Sequence, residues 1–216
     1  MLPGNKKDLL FIQFAKEPRP GEVKTRMQPT LNAEQACALH CDLLLWTCQR
    51  LCEAGLADVE LWIAGADDYP VFEQCKSLGV TELRSQRGAD LGERMYHALE
   101  DGLARYRKVI LVGSDCPALN RDYLSDAEAA LDNCPVVLGP AEDGGYVLIG
   151  ASHIRGALFE GIRWGGATVF AETVERMAAL GVSWSQLQSL ADIDRPGDLP
   201  HWLELKSAAV PGPHQG

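Results

Sequence analysis

The sequence predicts an α/β fold, a three-layer α/β/α sandwich with a mostly parallel central sheet, and three observations carry that reading. Short apolar runs alternate with longer amphipathic segments from Leu9 to about Pro140, the pattern of parallel strands joined by crossover helices. The run Val109 to Val112 is apolar without alternation, as expected of a strand covered on both faces. Helix boundaries carry capping residues: Asn32 with Gln35 three residues on forms a capping box, and Gly55 and Gly79 supply stops. At 216 residues, with no internal repeat or linker, one domain over residues 1–206 is expected, followed by a small, Pro-rich tail from Ser207 expected to be disordered.

Taken in order, Leu9 to Phe14 is the first strand. The loop Ala15 to Arg26 follows, with Pro18, Pro20 and Gly21 among the cations Lys16, Arg19, Lys24 and Arg26. It is too polar and broken to be core. Ala33 to Ala54 is a long helix, Val59 to Ala64 the second strand, Tyr69 to Leu78 a shorter helix, and Val80 to Arg84 a weak third strand. Gln86 to Asp90 is a turn before a helix from Leu91 to Tyr106, with Leu91, Met95, Leu99 and Leu103 on one face. After the central strand ending at Val112, Asn120 caps a helix to about Asp132. Pro135 to Gly139 and Tyr146 to Gly150 are strands separated by a turn through Asp143-Gly144-Gly145. A helix from Val169 to Leu180, an extended Val182 to Leu187, and a last helix begun by Asp192 to Asp198 and running to about Leu205 complete the chain.

Composition narrows function. A net charge of -10 argues against a nucleic-acid binder, whose phosphate contacts need a basic face. No apolar run approaches the roughly 18 residues of a membrane span. The run after Lys6 and Lys7 is too short for a leader and lacks a small-residue cleavage site, so a cytoplasmic protein is expected. Seven cysteines without a C-x-x-C pair fit a reducing compartment. Cys37, Cys41, Cys48 and Cys52 share a helical stripe with Ala33, Leu44 and Leu51, which makes them small hydrophobes rather than metal ligands. Neither G-x-G-x-x-G after the first strand nor a P-loop, G-x-S-x-G or H-E-x-x-H is present.

Two features point to a site. Asp115 follows the central strand through Gly113 and Ser114, where open α/β sheets bind ligands, with a helix cap as the structural alternative. The basic loop reads as a phosphate cradle, in which Gly21 and Thr25 let backbone and hydroxyl groups approach an oxyanion beside Lys16, Lys24 and Arg26.

These motifs converge on a family. The loop Phe14 to Arg26, Gln86-Arg-Gly-Ala-Asp-Leu-Gly-Glu-Arg-Met95, Gly113-Ser-Asp-Cys-Pro117, Glu142-Asp-Gly-Gly-Tyr146, Trp164 and Asp192-Ile-Asp-Arg-Pro-Gly-Asp-Leu199 together resemble the DUF2064 family of bacterial proteins. That family belongs to the GT-A, or nucleotide-diphospho-sugar transferase, superfamily and is similar to the guanylyltransferases of cofactor biosynthesis. The resemblance, from about Leu9 to Leu205, implies that Asp115 holds Mg²⁺ or Mn²⁺ against nucleotide phosphates, with Asp194 as a second ligand and Asp192 as a weaker candidate. Asp198 reads as a first-turn charge on the last helix. The resemblance places Lys24 and Arg26 on the phosphates, with Lys16, Gly21, Thr25 and Ser114 also on the nucleotide. Gln86 and Gly88 come near the nucleobase, with Asp90 and Arg94 capping and bracing the helix. Asp143, Gly144, Gly145, Tyr146 and Trp164 fall on the acceptor side.

The expected reaction is metal-dependent nucleotidyl transfer from a nucleoside triphosphate to a small-molecule acceptor, with Lys24, Arg26 and Asp115 as catalytic groups. Glycosyl transfer from a nucleotide sugar is the alternative, and a non-catalytic nucleotide-binding module a third. Arg195, where relatives usually carry threonine, and Gly165-Gly166, where serine and threonine are common, put the acceptor in question more than the fold.

Overall fold

The strand β1 (Lys7–Lys16) lies between β2 (Asp58–Ala64) and β4 (Tyr106–Val112) and pairs parallel with both, so its side chains from Leu9 to Ala15 are buried on both faces. The structure is a computed structural model that describes residues 7–28 and 30–209. The helices α1 (Ala33–Ala54), α2 (Pro70–Leu78), α3 (Leu91–Arg105), α4 (Arg121–Ala130), α5 (Val169–Ala179) and α6 (Leu199–Ala209) flank strands that include β3 (Glu82–Ser85), β5 (Val136–Pro140), β6 (Tyr146–Ala151) and β7 (Trp184–Gln186). The seven strands lie in the order β3-β2-β1-β4-β6-β5-β7, and β6 runs antiparallel to both neighbours.

The two sheet faces bury alternate residues of β1, as the pleat requires. Leu9, Phe11 and Ala15 pack with Leu44, Cys48 and Leu51 of α1, Phe72 of α2 and Leu124 of α4. Leu10, Ile12 and Phe14 pack with Met95, Ala98 and Leu99 of α3 and Met177 near the end of α5. A third cluster joins Met27, after the basic loop, to Leu39 and Leu43 of α1, Ile193 and Trp202. It fastens the segment after the basic loop to the late turn and α6.

Chain order reverses between β1 and β4, and the crevice outside the carboxyl ends of such strands is where doubly wound sheets bind ligands. Because β6 is antiparallel, its amino end at Tyr146 faces the same edge. The basic loop, Gly113 to Cys116 and the hairpin turn after β5 therefore meet there.

Element boundaries follow the capping chemistry. Helix α1 spans the expected Ala33 to Ala54, with both halves of the Asn32–Gln35 capping box formed. Strand β1 is longer than expected because Lys7 joins the ladder and its ammonium lies 2.6 Å from Asp58. The third strand is shifted toward Ser85, and β7 covers only part of the expected extended segment. Helix α6 continues through Ala209, past the end expected near Leu205. Residues 1–6 and 210–216, and the expectations made for them, lie outside the described residues. Among the described residues, no helix is long and apolar enough to cross a membrane.

Candidate active site

Asp115 is held where the end of β4 meets the late turn. The backbone N–H of Ile193 donates to the Asp115 carbonyl at 2.8 Å, so Asp192 and Asp194, on either side of Ile193, are delivered to the same edge. Lys24 completes the junction. Its ammonium lies 2.8 Å from Asp115 Oδ1 and donates to the Ile193 carbonyl at 2.5 Å.

The Lys24 side chain is 3% exposed and that of Asp115 45%. Lys24 also has φ of +49°, unlike any other non-glycine among the described residues. An L-residue in the left-handed region is strained, and such strain concentrates at functional sites. In this conformation the Lys24 ammonium, expected from sequence to meet the nucleotide's phosphates, contacts Asp115 and the Ile193 carbonyl.

Arg26 is half exposed. Its Nη1 lies 2.8 Å from Asp194 Oδ2 and its Nη2 donates to the Gly165 carbonyl at 3.3 Å, which ties the basic loop to the segment carrying Gly165-Gly166. The Asp194 carboxylate raises the Arg26 pKa further, so the guanidinium stays charged. Asp198 caps the turn by accepting from the N–H groups of Asp194 and Arg195.

Beneath these groups a cleft of about 250 Å³ opens onto the α3 and α5 face of the sheet. Phe14, Met95, Leu111, Tyr146, Trp164 and Val169 form its apolar walls, and Arg26, Asp115, Asp143 and Asp192 are its charged lining. Trp164 packs edge-on against Tyr146, with ring centroids 6.5 Å apart. Burial, with Asp143, Asp194 and Asp115 nearby, pushes the Asp192 carboxyl up to about 6. Cys116 also lines the cleft, but burial pushes its thiol up to about 12, which leaves it protonated and inert.

The hairpin turn is both structural and part of the cleft. Asp143 Oδ1 accepts from the Gly145 N–H at 2.9 Å, and Asp143 and Gly145 line the opening. Gly144 has φ of +92°, and a Cβ there would stand 2.1 Å from the Ala167 carbonyl oxygen. The turn thus lies directly against the segment leading into α5. Gly88 plays the same part at α3, where a Cβ would meet the Arg94 backbone nitrogen at 2.7 Å. Asp90 caps that helix and Arg94 donates to the Gly88 carbonyl, as expected of a cap and a brace.

Of the other residues expected on the nucleotide, Gln86, Ser114 and Lys16 bond to neighbouring protein groups. The Gln86 amide donates to the carbonyls of Ala15 and Trp62, bracing three strand ends. The Ser114 hydroxyl accepts from the Gln13 amide and donates to the Phe14 carbonyl. Lys16 donates to the Glu22 carbonyl within its own loop, and Gly21 and Thr25 are exposed there.

Sequence reasoning missed several contributors. Met95 and Leu91 read only as core, Asp192 ranked below Asp194, and His40 was one of five scattered histidines. His40 lies under the loop, its Nε2 2.9 Å from the Lys16 carbonyl. The buried Gln13 inside an apolar strand was the one available signal of a polar network beneath the site.

The carboxylates suit a hard cation. Asp115 and Asp194 offer oxygen donors, and Asp115 Oδ1 is buried beside the Lys24 ammonium. Among the described residues no three acidic, histidine or cysteine side chains converge as a metal cage. A Mg²⁺ ion, which takes one or two carboxylates and completes its shell with waters and phosphate oxygens, does not need one.

No curated protein matches the chain. Among solved structures, a provisionally named nucleotide-diphospho-sugar transferase from Desulfovibrio desulfuricans G20 is 32% identical, with a TM-score of 0.82 over 94% of this chain and 90% of that one. A 4-diphosphocytidyl-2C-methyl-D-erythritol synthase from Anaerococcus prevotii is 9% identical, with a TM-score of 0.62 over 93% of this chain and all (100%) of that one. A Methanothermobacter nucleotidyl transferase is 13% identical, with a TM-score of 0.61 over 95% and 100%. At such identities these two show a common fold. The observed sheet and helices are thus the nucleotide-diphospho-sugar transferase fold, and the chain belongs to the DUF2064 family, described as uncharacterized protein conserved in bacteria, whose model matches residues 47–166.

Proposed function

We propose that the protein is a metal-dependent nucleotidyltransferase that moves a nucleoside monophosphate from a nucleoside triphosphate to a small acceptor. One observation carries the reading: Lys24 and Arg26 from the basic loop are interleaved with Asp115 and Asp194 at the carboxyl ends of β1 and β4. Cations and carboxylates in contact at one sheet edge suit a phosphate chain neutralised from both protein and metal.

An acceptor oxygen attacks the α-phosphorus and forms the new P–O bond. The bond from that phosphorus to the oxygen bridging the β-phosphate breaks, and pyrophosphate leaves with the electron pair. A hydroxyl acceptor gives up its proton to a nearby carboxylate or to water. Asp115 and Asp194 would hold Mg²⁺ or Mn²⁺, which supplies charge neutralisation on the phosphate oxygens. Arg26, exposed on the rim, turns from Asp194 to the leaving phosphates. Lys24 sets the direction of Asp115, while Gly88 and the adjoining turn bound the nucleobase side, with Gln86 and Ser114 supporting it from behind.

Glycosyl transfer from a nucleotide sugar is the second reading, favoured by the name of the Desulfovibrio relative. Product analysis decides between them. Pyrophosphate release from nucleoside triphosphates supports the first, and nucleoside diphosphate release from sugar nucleotides alone overturns it. Thermal-shift screening with and without Mg²⁺ tests the shared premise. A nucleotide at a hundred times its Kd adds about 2.7 kcal/mol, or roughly 5–10 °C for a chain of this size. No shift with any nucleotide overturns both.

A further inference from the structure

The cleft beside Asp115 carries information about the acceptor. Its walls are aromatic and aliphatic, from Phe14, Met95, Leu111, Tyr146 and Trp164. Its charged lining is Asp115, Asp143 and Asp192 with Arg26, while Asp194 and the buried Lys24 stand behind it, paired with Arg26 and Asp115. Three carboxylates thus face one cation in the cleft, and that cation is already paired with Asp194.

We propose that the acceptor is an uncharged or cationic molecule with an apolar, ring-sized body that presents a hydroxyl group, not a phosphate, to the transferred group. This rests on the transferase reading above and narrows it. Lys24 and Arg26 are engaged by Asp115 and Asp194, so neither is offered to an acceptor phosphate. An anionic acceptor would also have to pass Asp143 and Asp192, and like charges at contact range disfavour it. A hydroxyl group meets no such repulsion and donates well to carboxylate oxygens. Its body leaves water for the apolar walls, which recognise shape without demanding charge. On transfer the hydroxyl loses its proton, and the carboxylate rim lies beside the position where that proton is released.

The test uses cyclohexylmethanol and cyclohexylmethyl phosphate, which share one apolar body, titrated separately into the nucleotide-free protein. Binding is read from the Trp164 contribution to fluorescence, taken as wild type minus Trp164→Phe, and by calorimetry on the wild type. The alcohol is expected to bind at least about tenfold more tightly than the phosphate. The Asp143→Asn/Asp192→Asn variant, with its fold checked by circular dichroism, is expected to narrow that gap at least threefold. Equal or tighter binding of the phosphate overturns the proposal, as does binding of neither compound or an unchanged gap in the double variant. Because no nucleotide is present, these outcomes are independent of the thermal-shift screen that tests the transferase reading. A protein that shifts with nucleotides yet prefers the phosphate keeps its transferase function and loses this acceptor class.

Discussion

Lys24 and Asp115 form the ion pair on which the site edge is built, with the Lys24 ammonium 2.8 Å from Asp115 Oδ1 and itself almost wholly buried. The same ammonium holds the Ile193 carbonyl, so one side chain joins the basic loop, the central strand and the late turn. Its left-handed backbone is tolerated because these contacts over-determine it.

Replacing Lys24 by methionine is expected to destabilise the fold by about 1–3 kcal/mol. That is less than the loss for a fully buried pair, because Asp115 is half exposed and water screens it. Lys24→Gly loses the same pair but relieves roughly 1 kcal/mol of backbone strain. Urea midpoints should therefore rank wild type above Lys24→Gly and Lys24→Gly above Lys24→Met. The reverse order for the two variants would remove strain from the account.

Ser114→Ala separates bracing from nucleotide contact. Its hydroxyl bridges the buried Gln13 amide and the Phe14 carbonyl, and leaving both unmatched costs about 1–3 kcal/mol. Stability should fall by that amount while nucleotide affinity, measured at a temperature where the variant is folded, changes less than about threefold. A large loss of affinity with unchanged stability would put the hydroxyl on the nucleotide instead.

Gly144→Ala is expected to be among the most damaging single-methyl changes in the chain. The new Cβ meets the Ala167 backbone, which cannot swing away as a side chain would, and φ is positive as well. A loss of about 2–4 kcal/mol is expected, with the acceptor KM raised, because the turn and the segment before α5 both line the cleft. Thermal midpoints and acceptor titrations check the two parts.

His40 makes stability depend on pH. Burial lowers its pKa below the ordinary 6.5, so between the two values the unfolded chain binds the proton more readily than the folded one. Its contribution is unchanged above about pH 7 and declines as pH falls below 6.5, because protonation then favours unfolding. Urea midpoints from pH 8 to pH 5 should fall less steeply in His40→Gln, whose amide can still donate to the Lys16 carbonyl. Parallel slopes would assign the acid sensitivity to other groups.

Much of the fold was legible because it is written locally. The capping box at Asn32 set one end of α1, and the unalternating run of β4 marked a central strand. Asp115 was found for a related reason: a carboxylate just past a buried strand has few places to go except the sheet edge. The contacts of Gln86 and Ser114 were not legible, because a polar residue in a turn looks the same in sequence whether it faces a ligand or a neighbouring carbonyl.

By itself the sequence determined the order of strands and helices, the excess of acid over base, the basic loop and the family, since each rests on residue type and short spacing. Only the tertiary structure decided which charges meet. That Lys24 lies on Asp115, Arg26 on Asp194, and Asp192 rather than Asp194 in the cleft depends on Ile193 hydrogen-bonding beside β4. Such contacts join segments far apart in the chain through packing of Met27, Ile193 and Trp202, and no local pattern encodes the distance between groups that only a shared core brings together.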